Sequence, residues 1–429
     1  MVIETISQLD DFMALWGSHE WIVVPIMSDT KVHPLQNKLC VLYVKPIESD
    51  TDAILAFDHT ESLNLPYDAL AKLETGQKKY VYDKKEMNHI YKFDNVIDVN
   101  MLHYQMNNKP LLIDNITTPA HQFFHVRHYR KSNLNSVIPI MKHLEYCRNL
   151  AGELGIWTFI PPNDLYNNQY MDNMEYIESA GLQTLDGMAY TNYNLYTSTG
   201  RPSNAYGGTN YAALNKSDET RKKYISRFGK DGYLIEYDFS GNHLYIIADL
   251  IGFKFTESPH DYLGKIYFDT DKLTPEQYKE GKGITFQLLY GGIDREFEKI
   301  DFFAQVNMYI QKLWNKYKMH SVVSPISGKT IYKSNLKNMN PQKLFNYMLQ
   351  LLEFEDVHEY LNQIKIILDR SETKLILYTY DSLLFDFNGT DGKELLIGIK
   401  RIMESQGKLV TVDMGVNYYD MKSIDNYFV

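Results

Sequence analysis

The chain has 429 residues and a formal net charge of −10, and 44% of its residues are apolar. This length allows two or three domains, and the apolar fraction is sufficient for their cores. The negative net charge argues against a protein that coats DNA by non-specific attraction.

Cysteine content and the N-terminus predict the compartment. The chain has two cysteines, Cys40 and Cys147, without zinc-type spacing, so we expect no disulfide and a reducing environment. The first eleven residues carry acids where a signal peptide carries basic residues, and no apolar stretch approaches membrane-spanning length. The sequence therefore predicts a soluble cytoplasmic protein with no membrane partner.

Three regions follow one another along the chain. Residues 1–145 mix strand and helix patterns, with strands predicted at 20–26 and 39–44. An apolar stripe predicts a helix at 139–150, across the first boundary. Residues 146–195 are rich in Asn, Tyr and Met and are predicted to form a short helical connector, and 196–429 carry the motifs.

The third region begins with a basic segment. Residues 196–230 contain seven basic residues against two acids. A solvated charged face explains such a segment in isolation. Because it directly precedes a candidate metal site, contact with phosphate groups is the favoured interpretation.

Two aspartates follow runs of strand-forming residues. Asp238 lies in 233–240 (YLIEYDFS) and Asp381 in 375–382 (LILYTYDS). A buried carboxylate is costly unless it is paired or binds a metal. Two of them suggest a two-metal site for phosphoryl transfer, although Asp381 alone also fits a hairpin turn.

A helix is predicted between the two aspartates. Thr274, Pro275 and Gln277 form an N-cap, a first-turn proline and a capping box, and 291–292 (GG) supplies the end. Residues Lys282, Phe286 and Tyr290 are spaced four apart and share one face. That face suits a triphosphate, a sugar and a base. The alternative is that both aromatic residues belong to the core.

These blocks resemble, in chain order, motifs of the family A DNA polymerases, the bacterial polymerase I class. Residues 199–203 (TGRPS), with Asn210 and Arg221 downstream, are similar to the family's Thr-Gly-Arg segment. Residues 238–240 (DFS) resemble motif A, and 380–382 (YDS) stand at motif C. Motif B of the fingers helix is matched by Lys282, Phe286, Tyr290 and Gly291. His260, Asn346 and Gln350 also match family positions.

The resemblance implies a fold of class α+β, a polymerase right hand. It places Asp238 and Asp381 on an antiparallel palm sheet and Lys282 on helical fingers at about 250–345. It also implies a reduced thumb at 146–195 and an N-terminal exonuclease-like α/β domain at 1–145. The palm and fingers together would occupy 196–429.

The resemblance also implies the activity, which is addition of dNMP from dNTPs to a primer 3′-hydroxyl with release of pyrophosphate. Asp238, Asp381 and the backbone carbonyl of Phe239 would hold two Mg²⁺ ions, for which Mn²⁺ can substitute. Lys282 would act in catalysis by neutralising the triphosphate. The implied nucleotide-binding residues are Phe239, His243, Tyr278, Phe286 and Tyr290. The implied contacts to primer-template DNA are Arg201, Arg221, Asn346, Gln350 and Tyr380.

Several positions depart from the family pattern. His243 stands where motif A has a glutamate that helps to exclude ribonucleotides, so the sugar selectivity is open; a plain half-buried histidine is the alternative. Ser382 and Tyr380 replace the Glu and His of motif C, and Tyr278 replaces an arginine. The short connector predicts weak grip on duplex unless a processivity or replisome protein binds.

The N-terminal region does not carry the expected exonuclease motif. Residues 25–27 (PIM) stand where an Asp-x-Glu would lie, and Asp94 and Asp98 have no evident partners and are interpreted as surface acids. We therefore predict a degenerate domain without proofreading activity. The small size suggests a phage replication protein in the host cytoplasm. The alternatives are a single-subunit RNA polymerase or primase-like enzyme, and a non-catalytic DNA-binding subunit.

Overall fold

The structure is a computed structural model and describes residues 1–28, 33–47, 49–59, 62–98, 100–101, 104, 108–110, 182–184, 187–217 and 219–428. The chain divides into two compact units, Met1–Glu175 and Tyr176–Val429. The helix predicted at 139–150 and most of the predicted connector lie outside the described residues. The domain boundaries at 145 and 195 stay predictions.

The N-terminal unit is built on a mixed sheet. Its strands are β1 (Val2–Ile3), β2 (Trp21–Met27), β3 (Leu39–Pro46), β4 (Ala53–Ala56), β5 (Lys79–Val81) and β6 (Val96–Asp98), and its helices are α1 (Ile6–Trp16) and α2 (Lys84–Asn88). The sheet order is β1-β4-β3-β2-β5-β6. Strands β2, β3 and β4 are antiparallel neighbours, whereas β5 and β6 extend the sheet in parallel from β2. The two strands predicted from sequence are thereby confirmed.

Apolar residues on both sides of this sheet explain its stability. Nearly every residue of β2 is buried, as expected for a strand covered on both faces. Helix α1 packs Leu9 and Phe12 into the same core and begins with a capping box formed by Thr5 and Gln8.

The C-terminal unit combines strands with long helices. Its strands are β7 (Leu182–Thr184), β8 (Gly187–Ala189), β9 (Tyr193–Asn194), β10 (Ser203–Asn204), β11 (Gly232–Phe239), β12 (Val322–Val323), β13 (Thr330–Ile331), β14 (Lys374–Tyr378), β15 (Ser382–Asn388), β16 (Val410–Gly415) and β17 (Lys422–Ser423). Its helices are α3 (Asn242–Ile251), α4 (Pro259–Phe268), α5 (Pro275–Gly291), α6 (Asp301–Tyr317), α7 (Pro341–Leu368) and α8 (Gly392–Met403).

The described end of the predicted connector differs from expectation. Its residues form strands, with β7 paired to β8 and β9 paired to β10, rather than a helix. Pairing between strands satisfies their backbone N–H and C=O groups, so a segment without a strong apolar helix stripe can be ordered this way.

A five-stranded antiparallel sheet, which we call the palm sheet, has the order β14-β15-β11-β16-β17. Strand β11 is its centre and pairs with β15 on one side and β16 on the other. Its residues alternate between the two faces, so Glu236 and Asp238 share a face. The sheet has the antiparallel character that was predicted.

Helices α4, α5 and α6 and the β12–β13 hairpin are inserted between β11 and β14, as predicted for the fingers. Their core includes Phe302, Phe303 and Leu289, each fully buried. Helix α7 runs for 28 residues from this core to the palm sheet, and its buried residues occupy several faces. Within the described ranges, no helix combines the length and apolarity needed to cross a membrane.

Candidate active site

Asp238 and Asp381 lie together at one end of the palm sheet. Asp238 is the penultimate residue of β11 and pairs in register with Ser382, the first residue of β15. Asp381 occupies the bend between β14 and β15, and its carbonyl accepts a hydrogen bond of 3.1 Å from the N–H of Phe239. Asp381 is therefore a turn residue, and the turn places it beside Asp238.

Both carboxyl groups are costly to ionise in this position. Burial, with the charge of Asp381, raises the pKa of Asp238 to about 7, and Lys216 and Lys282 oppose this rise. Burial and the charge of Glu353 raise the pKa of Asp381 to about 6. A bound cation would relieve this repulsion, and carboxylate oxygens are the donors that hard divalent cations prefer.

The carbonyl of Phe239 is the third predicted ligand. It already accepts a hydrogen bond of 2.8 Å from the N–H of Gly241, and a carbonyl oxygen has a second lone pair for a cation. No group of three or more His, Cys, Asp or Glu side chains arranged to hold a metal occurs among the described residues. A metal here therefore needs this carbonyl, or groups from a ligand, in addition to the two carboxylates.

The predicted fingers helix forms as its sequence indicates. Helix α5 begins with the Thr274–Gln277 capping box and ends at Gly291, followed by Gly292 at a positive φ of 127°. Lys282 and Tyr290 are exposed and Phe286 is half-buried, so the interpretation of these aromatic residues as core is wrong. The rings of Phe286 and Tyr290 stack at 5.9 Å, and the Nζ of Lys282 lies 5.8 Å from the Phe286 ring.

Tyr278 and His260 support the other end of this face. His260 is buried and contacts the rings of both Tyr278 and Phe286, at 6.1 Å and 5.7 Å. Burial and the charge of Lys282 lower the pKa of His260 to about 4, so the imidazole is neutral at pH 7. Gly241, at φ 86°, turns the chain from β11 into α3, and a Cβ there would lie 3.1 Å from His260 Nε2.

His243 connects the palm to the fingers helix. It lies on α3, its side chain is 12% exposed, and its Nδ1 is 2.5 Å from the hydroxyl of Tyr290. Its Nε2 lies 3.2 Å from Oε1 of Glu353, a carboxylate of α7 that is 3% exposed. The side chain is thus half-buried, hydrogen-bonded to Tyr290 and close to Glu353 beside the exposed face of α5, and its effect on sugar selectivity stays a prediction.

Arg201 reaches the same carboxylate from the basic segment. Its Nη1 donates to Oε2 of Glu353 at 2.8 Å, and its guanidinium lies 4.0 Å from the ring centre of Tyr380. Tyr380 adopts a positive φ of 77°, which is uncommon for a residue with a side chain. The contacts of Arg201 favour this strained turn beside Asp381.

The remaining predicted DNA contacts lie in different environments. Arg221 is buried, donates to the carbonyl of Leu214 at 2.5 Å and stacks on Tyr418 at 4.0 Å, so its guanidinium already serves the palm interior. Asn346 and Gln350 lie one turn apart on α7 and are half-buried. The Oδ1 of Asn346 is buried and lacks a hydrogen-bond partner among the described residues, which leaves an acceptor for a ligand.

Two further residues at this site, Glu236 and Glu353, were not singled out in the sequence, whereas Lys216 belongs to the basic segment expected to contact phosphate. Glu236 is buried on β11, and its carboxylate accepts hydrogen bonds from Tyr418 at 3.0 Å and Ser382 at 3.4 Å. The Nζ of Lys216 lies 3.2 Å from Glu236 and 3.9 Å from Asp238. The two-residue spacing of Glu236 and Asp238 was a usable signal, whereas nothing near Glu353 in the sequence indicated its partners.

Within the described part of the N-terminal unit, the candidate exonuclease acids do not join a cluster of metal-ligating side chains. Asp94 is exposed, as expected for a surface acid. Asp98 is buried, contrary to that interpretation, and its two oxygens accept the N–H groups of Lys84 at 2.8 Å and Met101 at 2.7 Å. It is buried because it caps α2 and the turn after β6. Pro25 and Met27 lie within β2.

A solved structure similar to this chain is the POL domain of Pol1 from M. smegmatis in complex with DNA primer-template and dNTP. The match has a TM-score of 0.74 at 14% sequence identity and covers 98% of this chain and 100% of the other. This chain has the fold of that polymerase domain. The predicted α+β right-hand fold is confirmed. No protein-family model and no curated protein sequence matches the chain.

Proposed function

We propose that this chain is a template-directed DNA polymerase that adds dNMP to a primer 3′-hydroxyl and releases pyrophosphate. The observation that carries the proposal is the convergence of Asp238, Asp381 and Lys282 on one polymerase fold. One carboxylate lies on β11 and the other in the turn that leads into the adjacent strand β15, and the charge of Lys282 acts on both of them. A protein that only binds DNA has no need of such a cluster.

The donor set fits hard divalent cations, and we assign Asp238, Asp381 and the Phe239 carbonyl as ligands for two Mg²⁺ ions, with Mn²⁺ as a substitute. When bound, such ions supply charge that activates the primer hydroxyl and stabilises the leaving pyrophosphate. Lys282 is exposed on its helix face and is available to neutralise a triphosphate. Phe286 and Tyr290 offer flat apolar surfaces for the base and sugar.

We assign the primer-template duplex to the surface around Arg201, Asn346 and Gln350. The unpartnered acceptor of Asn346 supports a polar contact of the kind that tests minor-groove groups with little dependence on sequence. Tyr380 borders Asp381 and is assigned to the primer end. Arg221 is assigned an indirect role, because its guanidinium is committed to Leu214 and Tyr418.

We also infer that the enzyme does not proofread. The support is the N-terminal unit, where Asp98 is used by backbone N–H groups and β2 lacks acids at residues 25–27. We also propose that a replisome partner improves the grip on duplex DNA. The proposed setting is phage replication in the host cytoplasm.

The test is extension of a labelled primer on a DNA template with Mg²⁺, with dNTPs and NTPs offered in separate reactions. We compare the wild type with Asp381→Ala and with Asp271→Ala, an exposed aspartate of the same unit. Templated extension with dNTPs, retained in Asp271→Ala and lost in Asp381→Ala, is expected. A labelled mismatched primer that is not shortened would support the absence of proofreading.

Each other outcome has a definite meaning. Extension with NTPs alone would assign the chain to RNA synthesis, which the replacement of the motif A glutamate by His243 leaves open. Duplex binding without extension in Mg²⁺ or Mn²⁺ would indicate a non-catalytic subunit. Equal activity in Asp381→Ala would remove the assigned metal ligands.

A further inference from the structure

A buried glutamate on α7 joins residues from three other parts of the C-terminal unit. The side chain of Glu353 is 3% exposed, and each of its oxygens faces a different partner. Oε2 accepts from Nη1 of Arg201 at 2.8 Å, and Oε1 lies 3.2 Å from Nε2 of His243. Burial alone would oppose ionisation, but the adjacent His243 and Arg201 side chains hold the pKa of Glu353 below its usual range.

The partners of Glu353 lead to both halves of the candidate active site. His243 continues to the hydroxyl of Tyr290, 2.5 Å from Nδ1, and Tyr290 is one end of the exposed face of α5. Arg201 continues to the ring of Tyr380, which precedes Asp381. Glu353 is thus linked through His243 to Tyr290 on the exposed face of α5. It is linked through Arg201 to Tyr380, in the turn that carries Asp381.

The buried carboxylate of Glu353 restricts the movement of the Arg201 and His243 side chains. Removing one member of a buried, hydrogen-bonded charge cluster leaves the others unpaired in a medium of low dielectric, so the arrangement resists displacement. His243 is therefore held between Glu353 and Tyr290, and the Tyr290 hydroxyl is held in turn. Lys282 lies two helical turns away on the same face, about 12 Å along the axis. A nucleotide with its triphosphate near Lys282 would have its sugar and base near Tyr290.

We propose that Glu353 is a positioning residue that fixes His243 and Tyr290 and thereby sets the discrimination between deoxyribonucleotides and ribonucleotides. The proposal rests on the proposed polymerase function and deepens it. A ribose carries one hydroxyl group more than a deoxyribose. Side chains of His243 and Tyr290 that are held in place exclude this hydroxyl better than side chains that can move. The role of Glu353 is to prevent displacement of the His243 and Tyr290 side chains.

The first experiment measures kcat/KM for a dNTP and for the matching NTP with the full chain. In Glu353→Gln we expect the ratio of the two values to fall at least tenfold, with the NTP gaining relative to the dNTP. Glu355→Gln is the matched control, because Glu355 is 8% exposed on the same helix and bonds instead to Ser324 and Ser327. Its discrimination ratio should equal that of the wild type.

A second variant protects this test from misfolding of the first. Tyr290→Phe removes the hydroxyl that faces His243 and leaves the Glu353–Arg201 pair intact. It should lower the discrimination ratio to a similar degree, and the double variant with Glu353→Gln should lower it little further, because both break one linkage. Fully multiplicative effects, or an unchanged ratio in Tyr290→Phe, would overturn the proposal.

A measurement without catalysis separates this proposal from the proposed function. The full chain labelled in its histidine rings with ¹⁵N gives the His243 imidazole signals, identified by their loss in His243→Gln. Both Glu353→Gln and Tyr290→Phe should shift them, whereas Glu355→Gln should not. Unshifted signals in Glu353→Gln would overturn the positioning role even if primers are extended. If the wild type extends no primer, the proposed function and the nucleotide discrimination fail, and shifted signals would then support only the link from Glu353 to His243.

Discussion

A buried ion pair beside the end of β11 offers a direct test of the packing described above. Lys408, two residues before β16, is 4% exposed, and its Nζ donates to Asp356 of α7, which is 10% exposed. The same Nζ donates to Oδ1 of Asn242 at 3.0 Å and lies 5.7 Å from the ring of Phe239. The pair therefore joins the helix to the end of the strand that carries Asp238.

Removing only the cation should be costly. Burial raises the pKa of Asp356 above its ordinary 3.8 even though Lys408 opposes the rise, so in Lys408→Met the carboxyl will take up a proton rather than remain charged. Protonating a carboxyl group of pKa 3.8 at pH 7 costs about 4 kcal/mol. This follows from 1.36 kcal/mol for each pH unit over the difference of about 3.2 between the pH and the pKa. This value agrees with the ~3–5 kcal/mol found when one partner of a buried pair is removed. At pH 5 the same arithmetic gives about 1.6 kcal/mol.

Replacing both partners should restore most of the loss. In Lys408→Met with Asp356→Leu neither partner leaves an unpaired charge, and the loss of the hydrogen bond to Asn242 costs about 1 kcal/mol. The assay is urea unfolding of the full chain followed by circular dichroism at pH 7 and pH 5. Lys312→Met, an exposed lysine of α6, is the control and should change the free energy of unfolding by less than ~0.5 kcal/mol. A loss below ~1 kcal/mol in Lys408→Met at pH 7, or a double variant as unstable as the sum of the single variants, would refute this reasoning.

Three further predictions concern other parts of the C-terminal unit. Asp386 is fully buried and accepts from Ser226 and from Arg227 Nε at 2.7 Å, so Asp386→Asn should lower the free energy of unfolding in urea by about 2–3 kcal/mol; an unchanged value would contradict it. Burial lowers the pKa of His358 from 6.5 to about 4. The unfolded chain therefore binds the proton first, and about 3 kcal/mol of stability should be lost as the pH falls from 6.5 to 4, a loss missing in His358→Leu. Lys282→Ala should lower kcat/KM for dNTPs about 10²–10³-fold with unfolding changed by less than ~0.5 kcal/mol, and a normal kcat/KM would exclude its catalytic role.

Local features of the sequence were sufficient for the elements that carry the site. The capping residues around Thr274 and the closing glycines predicted α5 with its ends, and strand-forming runs predicted β11 and the neighbourhood of Asp381. Such signals act within a few residues of the position they determine, so they can be recognised without knowledge of the fold. The order of the motifs then predicted the class of fold that the comparison confirms.

Other assignments failed where burial depends on distant residues. Asp98 was interpreted as a surface acid but is buried, because backbone N–H groups of Lys84 and Met101 satisfy its oxygens. The aromatic residues of α5 had an alternative interpretation as core, but Tyr290 is exposed and Phe286 is only half-buried. In both cases the deciding neighbours belong to elements whose arrangement the local pattern does not specify.

By itself the sequence determined the elements that carry the site, the likeness to a polymerase and the residue types at the candidate metal site, because these depend on spacing along the chain. Only the tertiary structure decided which charges meet. Glu353 lies 152 residues from Arg201 along the chain, and its contacts with Arg201 and His243 exist because α7 passes beneath the palm and the fingers. The energy of a buried charge depends on every group packed around it, and that packing is a property of the whole fold.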